Sequence, residues 1–226
     1  MSDSIIELIR IRPPMRYNDA LQIQHVHGAE LETCTEKRAK LILLQHTPVY
    51  TLGRRTESEH LTCTENDLGA RTGAEIIKTD RGGSVTYHAP GQLTAYLLLN
   101  LQNWQFGIHQ HLEKLEETAI NVLARFAIKG KRVQGLTGVW TGLTEPEKIC
   151  AIGVSARRWV TYHGLSLNVD LDLAPFSEII PCGLHGKKVT SMAKVLERSI
   201  LISDVEHAMS AAFGEVYASK IELGMV

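Results

Sequence analysis

The clearest periodic signal lies between Gly107 and Ile128, where Ile108, Leu112, Leu115, Ala119, Val122, Leu123 and Phe126 recur at three- and four-residue intervals. That spacing places them on one stripe of an α-helix and predicts that the stripe lies on a sheet. A second helix is predicted near the C-terminus, where Val205, Ala208, Met209, Ala212, Phe213 and Val216 share a face. Ser203 followed by Glu206 has the pattern of a capping box for it. From Arg16 to Lys37 the chain is polar with recurring Tyr17, Leu21 and Leu31, which predicts an amphipathic helix.

The rest reads as strands. Leu41 to Leu44 is a short, wholly apolar run, and Pro48 and Gly53 punctuate the segment after it. Glu75 to Lys78, Ser84 to His88 and Leu93 to Leu101 are predicted strands separated by Arg81-Gly82-Gly83 and Ala89-Pro90-Gly91-Gln92. Gly138 to Thr141, Lys148 to Arg157 and Trp159 to Asp170 come next, the first two joined by a turn at Glu145-Pro146-Glu147. Such short connections favour antiparallel pairing. No repeat, low-complexity tract or linker divides the chain, so residues 1–226 are read as one α+β domain.

Composition narrows the function. A chain of 226 residues, 44% hydrophobic, can hide roughly 70% of its unfolded surface, enough for one core. Lys plus Arg total 24 against 25 for Asp plus Glu, so no broad field attracts nucleic acid or anionic membrane, and an anionic partner must meet a local basic patch. Met1 to Arg12 is too short and too charged for a secretory signal, and the run at Leu97 to Leu99 stops at Asn100, far short of a membrane span. A cytoplasmic protein is expected. Cys34, Cys63, Cys150 and Cys182 contain no C-x-x-C pair and suggest neither zinc nor a disulfide framework. The pairs His25/His27 and His109/His111 fall in helical stretches, where i,i+2 side chains point apart, and read as surface histidines rather than metal ligands.

Three segments could carry chemistry. In Arg81 to Gln92, the adjacent Gly82 and Gly83 permit close approach of a ligand to main-chain N–H groups beside Arg81, Ser84, Thr86, Tyr87 and His88. The same residues also suit a plain hairpin, and no Gly-Lys-Ser/Thr is present after them to make a P-loop. Lys148 opens the apolar strand Lys148 to Gly153 and is either a desolvated base or an ordinary exposed lysine. Cys182, between Pro181 and Gly183, is either a thiol presented on a turn or a small buried hydrophobe, with His88, His163 and His185 as candidates to approach it.

Together these segments closely resemble the lipoyl(octanoyl) transferase family, octanoyl-acyl-carrier-protein:protein octanoyltransferases. The matching stretches run in order from about Leu43 to Val195: His46 to Gly53, Arg81 to Gln92, Gly138-Val139-Trp140, Lys148 to Gly153, His163 to Val169, Pro181-Cys182-Gly183 and Val189-Thr190-Ser191-Met192. The resemblance implies the biotin/lipoate protein ligase catalytic-domain fold, with a central, largely antiparallel sheet, flanking helices and a smaller accessory sheet. It implies transfer of an octanoyl group from octanoyl-acyl carrier protein to Cys182 as a thioester. The group then passes to a lysine of lipoyl domains in 2-oxoacid dehydrogenase complexes or the glycine cleavage H protein. Lys148 is implied as the partner that lowers the thiol pKa and relays protons. The substrate site is implied at Arg81, Gly82, Gly83, Ser84, Val85, Thr86, Tyr87, His88, Ala151, Ile152, Gly153, Gly164, Leu165 and Ser166. No cofactor, metal, nucleotide, nucleic acid or membrane is expected.

Ala89 departs from the family's glycine, and alanine is tolerated there if its φ is negative, as expected before Pro90. Arg157-Arg158 and Lys187-Lys188 are candidates for a basic patch facing the acidic carrier, or are simply solvated surface. Within the same fold the alternatives are an ATP-dependent lipoate ligase, an amidotransferase between lipoyl domains, and a non-catalytic binding module.

Overall fold

The computed structural model describes residues 4–180 and 187–224. In chain order the first elements are β1 (Ile5–Arg10), α1 (Tyr17–Thr33), β2 (Arg38–Leu44), β3 (Val49–Leu52), α2 (Glu65–Thr72), β4 (Glu75–Lys78), β5 (Val85–His88) and β6 (Gln92–Leu99). After them come α3 (Leu101–Trp104), α4 (Ile108–Arg125), β7 (Lys131–Val133), β8 (Leu136–Thr141), β9 (Glu147–Arg157), β10 (Val160–Asn168), α5 (Met192–Leu196), α6 (Ile202–Val216) and β11 (Lys220–Leu223). Eight strands form the large sheet in the order β11-β1-β2-β6-β10-β9-β8-β7, and β4-β3-β5 form a small one. Pairing in the large sheet is antiparallel from β2 through β7, while β1 lies parallel to both β2 and β11 at the other edge.

Strand alternation sorts the side chains into two cores. Leu41, Leu43, Leu93, Ala95 and Leu97 point to one face, against the stripes of α4 and α6. Ile42, Leu44, Tyr96 and Leu98 point to the other, against Ala20 and Leu31 of α1. With both faces covered, β6 is buried along its whole length, which is why Ala95 to Leu99 are apolar on both faces rather than alternating. A third cluster, including Tyr50, Leu52, Leu68, Val85, Tyr87 and Phe176, holds the small sheet together.

Three expectations change. The capping box at Ser203 and Glu206 is absent: α6 begins at Ile202, Leu201 occupies the N-cap and no side chain caps it. Glu206 is instead buried beneath the guanidinium of Arg12, a charge-assisted contact that outweighs a neutral cap. His111 is not a surface residue. It sits on the buried stripe of α4, where its Nδ1 lies 3.1 Å from the hydroxyl of Tyr217. In α1 the buried face is Tyr17, Ala20, Gln24, Gly28 and Leu31, with Leu21 only half-buried. No helix among the described residues is long and apolar enough to cross a membrane.

Candidate active site

A cavity lies between the small sheet and the inner ends of β9 and β10. Its walls come close together through glycine. A Cβ on Gly153 of β9 would stand 2.7 Å from the carbonyl oxygen of Gly82, whose own N–H donates to the carbonyl of Val154 at 2.9 Å. The Arg81–Gly83 strip therefore docks directly on β9 only because residue 153 has no side chain.

Buried polar groups are joined in an ordered chain. Arg81, nearly inaccessible, donates through Nη2 to the carbonyl of Thr51 at 2.6 Å and to its hydroxyl at 2.8 Å. The Thr51 hydroxyl, accepting from the guanidinium, donates to His88 Nε2 at 3.3 Å, and His88 Nδ1–H donates to Gln92 Oε1 at 2.7 Å. Gln92 Nε2 continues to Asn168 Oδ1 at 2.9 Å, and Asn168 Nδ2 to the carbonyl of Thr190 at 2.9 Å. Beside this chain, the Tyr96 hydroxyl donates to His46 Nε2 at 2.6 Å. His163, at φ +63°, sits 2.8 Å from Asp80 Oδ1 and 3.2 Å from the hydroxyl of Tyr17. The hydrogen bond from His163 holds the Asp80 carboxyl down at about 2.

Burial pushes His46 down to about 4, His111 to about 3 and His88 well below the usual range. Unfolded, each titrates near 6.5, so below that pH the unfolded chain binds protons that the folded one refuses. Stability is therefore complete above pH 7 and declines on acidification, by roughly 1 kcal/mol per histidine at pH 5.5. Urea unfolding is expected to give a clearly lower midpoint at pH 5.5 than at pH 7.5; an unchanged midpoint contradicts neutral burial.

Lys148 reaches the cavity through a β-bulge. In the β8/β9 ladder Val139 faces Cys150 but Trp140 faces Lys148, leaving Ile149 as an extra residue. In a regular strand Lys148 and Ala151 would point to opposite faces. The bulge instead sends both Ile149 and Cys150 into the main core and returns Lys148 to the cavity side. Its Nζ lies 4.8 Å over the ring of Trp140. Gly138 makes the bulge possible: its φ is +114° and an added Cβ would meet the Cys150 carbonyl oxygen at 2.6 Å. Its N–H is held by Glu116 Oε1 at 2.9 Å. Gly138→Ala is expected to cost at least about 2 kcal/mol of stability and to lower activity beyond what unfolding explains; calorimetry paired with rate measurements at a temperature where both proteins are folded checks this.

Cys182 lies outside the described residues. The described chain on either side is fixed. Ile180 N–H donates to the carbonyl of His60 at 2.8 Å, and the ring of His60 receives the Ser84 hydroxyl at 2.7 Å. After the segment, Lys188 and Thr190 pair with the backbone of Lys148 itself, Lys148 N–H to Lys188 O and Thr190 N–H to Lys148 O, each at 2.9 Å.

Of the residues implied for the substrate site, Arg81, Gly83, Ser84, Val85, Thr86 and His88 line the cavity with Ala151, Ile152, Gly153, Gly164 and Ser166. Gly82 lines an adjoining chamber. Tyr87 and Leu165 do not line the cavity. Alternation turns Tyr87 into the small-sheet core, with its ring 4.8 Å from that of Tyr50, and Leu165 into the main core. Tyr17, Gln92, Tyr96, His163, Asn168, Phe176 and Val189 complete the lining. Gln92, His163, Asn168 and Val189 fall inside the motif stretches, whereas the helical pattern of α1 marked Tyr17 only as part of a packing face. Ala89 is not among the residues with positive φ, so alanine carries no left-handed strain there. The two basic pairs do not form one patch, because Lys188 pairs at the start of β9 and Arg157 ends it, on the order of 30 Å along a strand. Arg158 is also bridged to Glu32 at 2.9 Å.

The family model of the lipoyl protein ligase A/B catalytic domain matches residues 16–214. A protein of Christiangramia forsetii named octanoyltransferase is 40% identical over 198 residues, 86% of this chain and 82% of its own. One of the same name from Chloroflexus aurantiacus is 44% identical over 179 residues, 79% of each chain. Among solved structures, a bipartite lipoate protein ligase from Thermoplasma acidophilum superposes with a TM-score of 0.76 at 15% identity, covering 100% of this chain and 88% of its own. A biotin protein ligase from Aquifex aeolicus gives 0.55 at 11% identity, covering 94% and 70%. At such identities the structures speak for the fold, which is the one expected from the motifs.

Proposed function

We propose, from the premise that this chain belongs to the lipoyl protein ligase A/B catalytic domain family, that it is an octanoyltransferase of lipoate biosynthesis. In this reading it acts in the cytoplasm as a single catalytic domain, takes its octanoyl group from acyl carrier protein and passes it to a lysine of a lipoyl domain. The observation that carries the reading is the bulged β9, which aims Lys148 into a glycine-walled cavity while its backbone pairs with the segment just after Cys182.

In the first half-reaction the Cys182 thiolate, stabilised by the Lys148 ammonium, attacks the donor's thioester carbonyl. A carbon–sulfur bond to Cys182 forms, the bond to the carrier's sulfur breaks, and the departing thiolate takes a proton from Lys148. In the second, the neutral acceptor amine attacks the acyl-enzyme. A carbon–nitrogen bond forms, Cys182 leaves as thiolate, and Lys148 takes the amine's proton, restoring the starting state. One thioester is exchanged for another and then for an amide, so no nucleotide is consumed. The octanoyl tail gains ~0.8 kcal/mol per buried methylene from the apolar part of the cavity.

Incubated with octanoyl-acyl carrier protein and no nucleotide, the protein is expected to gain the mass of one octanoyl group, removable by hydroxylamine and mapping to the peptide containing Cys182. A protein that gains no mass without ATP, or that carries the group elsewhere, overturns the reading.

A further inference from the structure

Two cavities meet at Lys148. The second, a wider chamber, shares Gly83, Ser84, Lys148, Ile152 and Gly153 with the first. It is lined further by Leu112 of α4 and Leu136 and Thr137 of β8 on one side, and by Arg55, Glu57 and His60 beside the glycine strip, where Arg55 and Glu57 are exposed at its rim. A thioester whose carbonyl sits at Lys148 has two substituents that must leave in different directions. The alkyl chain suits the first cavity, which closes against buried Tyr17, Tyr96 and His163. The chain on the sulfur side has the second chamber as its route.

We propose that this second chamber holds the donor's thiol arm, a linear chain of amides ending in a phosphodiester, and that Arg55 at its rim receives the phosphate. This rests on the octanoyl transfer proposed above. Arg55 is exposed, and its backbone N–H is tied to the carbonyl of Gly83 at 3.0 Å, so its side chain starts from the chamber wall. Glu57 at the same rim carries a negative charge, so the Arg55 guanidinium is the group there whose charge and fork of N–H donors match an incoming phosphate. Leu112 and Leu136 offer apolar contact to the arm's methylene segments, and Thr137 and the glycine backbone offer hydrogen-bond partners to its amides.

The test compares donors that differ only in the arm: octanoyl-acyl carrier protein, octanoyl-phosphopantetheine and octanoyl-pantetheine. For Arg55→Ala the KM of the two phosphate-bearing donors is expected to rise about tenfold, the loss of one charge-assisted contact, with kcat unchanged and the pantetheine donor unaffected. Arg55→Lys should recover part of the loss. Thr137→Trp, which fills the chamber, should raise KM for all three donors while leaving hydroxylamine release from a preformed acyl-enzyme as it was. Equal effects of Arg55→Ala on all donors, or a KM effect confined to the acceptor lipoyl domain, would overturn the assignment, the second by giving the chamber to the acceptor. Protection of the chamber by ATP would also overturn it. A wild-type protein that transfers from none of the donors brings down the underlying function instead.

Discussion

With serine at position 182 the protein is expected to form no acyl-enzyme and to lose transfer by a factor of at least about 10³. A hydroxyl is far less acidic than a thiol, and a neighbouring ammonium that favours a thiolate does not generate an alkoxide near neutral pH. No other described cysteine is placed to substitute. Cys150, though close in sequence to Lys148, points into the main core, where burial pushes its thiol up to about 12. Cys34 and Cys63 lie outside the cavity lining. Intact-mass measurement and lipoyl-domain octanoylation, run together on Cys182→Ser and the parent, separate this outcome from its opposite; full transfer by the serine protein would end the thioester mechanism.

The second large effect is at Lys148. Lys148→Met keeps the stem and removes the charge, and kcat is expected to fall by ~10² to 10⁴, the range for losing a positioned acid/base group, with little change in KM. Lys148→Met retains the backbone pairing with Lys188 and Thr190 but loses the ammonium over the Trp140 ring, so a thermal unfolding measurement accompanies the kinetics. Lys148→Arg should not restore activity, since a guanidinium stays protonated and cannot accept the amine's proton in the second half-reaction. Rapid-quench measurement of acylation and deacylation under single turnover tests both statements; rates within threefold of the parent for either variant would remove Lys148 from the chemistry.

Much of the architecture was legible because apolar spacing records burial directly. The stripe of α4 is a good example: Leu115, Ala119, Val122 and Leu123 are all inaccessible. Where an element is short or its charges are paired in space, the pattern fails. β1 reads as an apolar run broken by Glu7 and Arg10, yet Glu7 is matched across the sheet by Lys40 at 2.7 Å, and the strand is held on both sides by parallel neighbours. The site was legible as motifs but not as geometry. That Lys148 shares a cavity with Ala151 depends on one extra residue in β9, and that Tyr87 and Leu165 turn away depends on strand parity, neither of which a motif states. His111 was misread because a buried histidine needs a partner from a distant helix end, Tyr217, and sequence spacing does not reveal it.

The chain of contacts that starts at Arg81 has a direction. A guanidinium only gives hydrogens, so Thr51 must turn its proton away from it, His88 must receive on one nitrogen and give on the other, and Gln92 must present its oxygen first. Burial also keeps this imidazole neutral, pushing its pKa well below the usual range, so it resists taking up a proton. Proximity to the cavity does not by itself qualify His88 as a shuttle, and in the mechanism proposed above that task is given to the amine of Lys148.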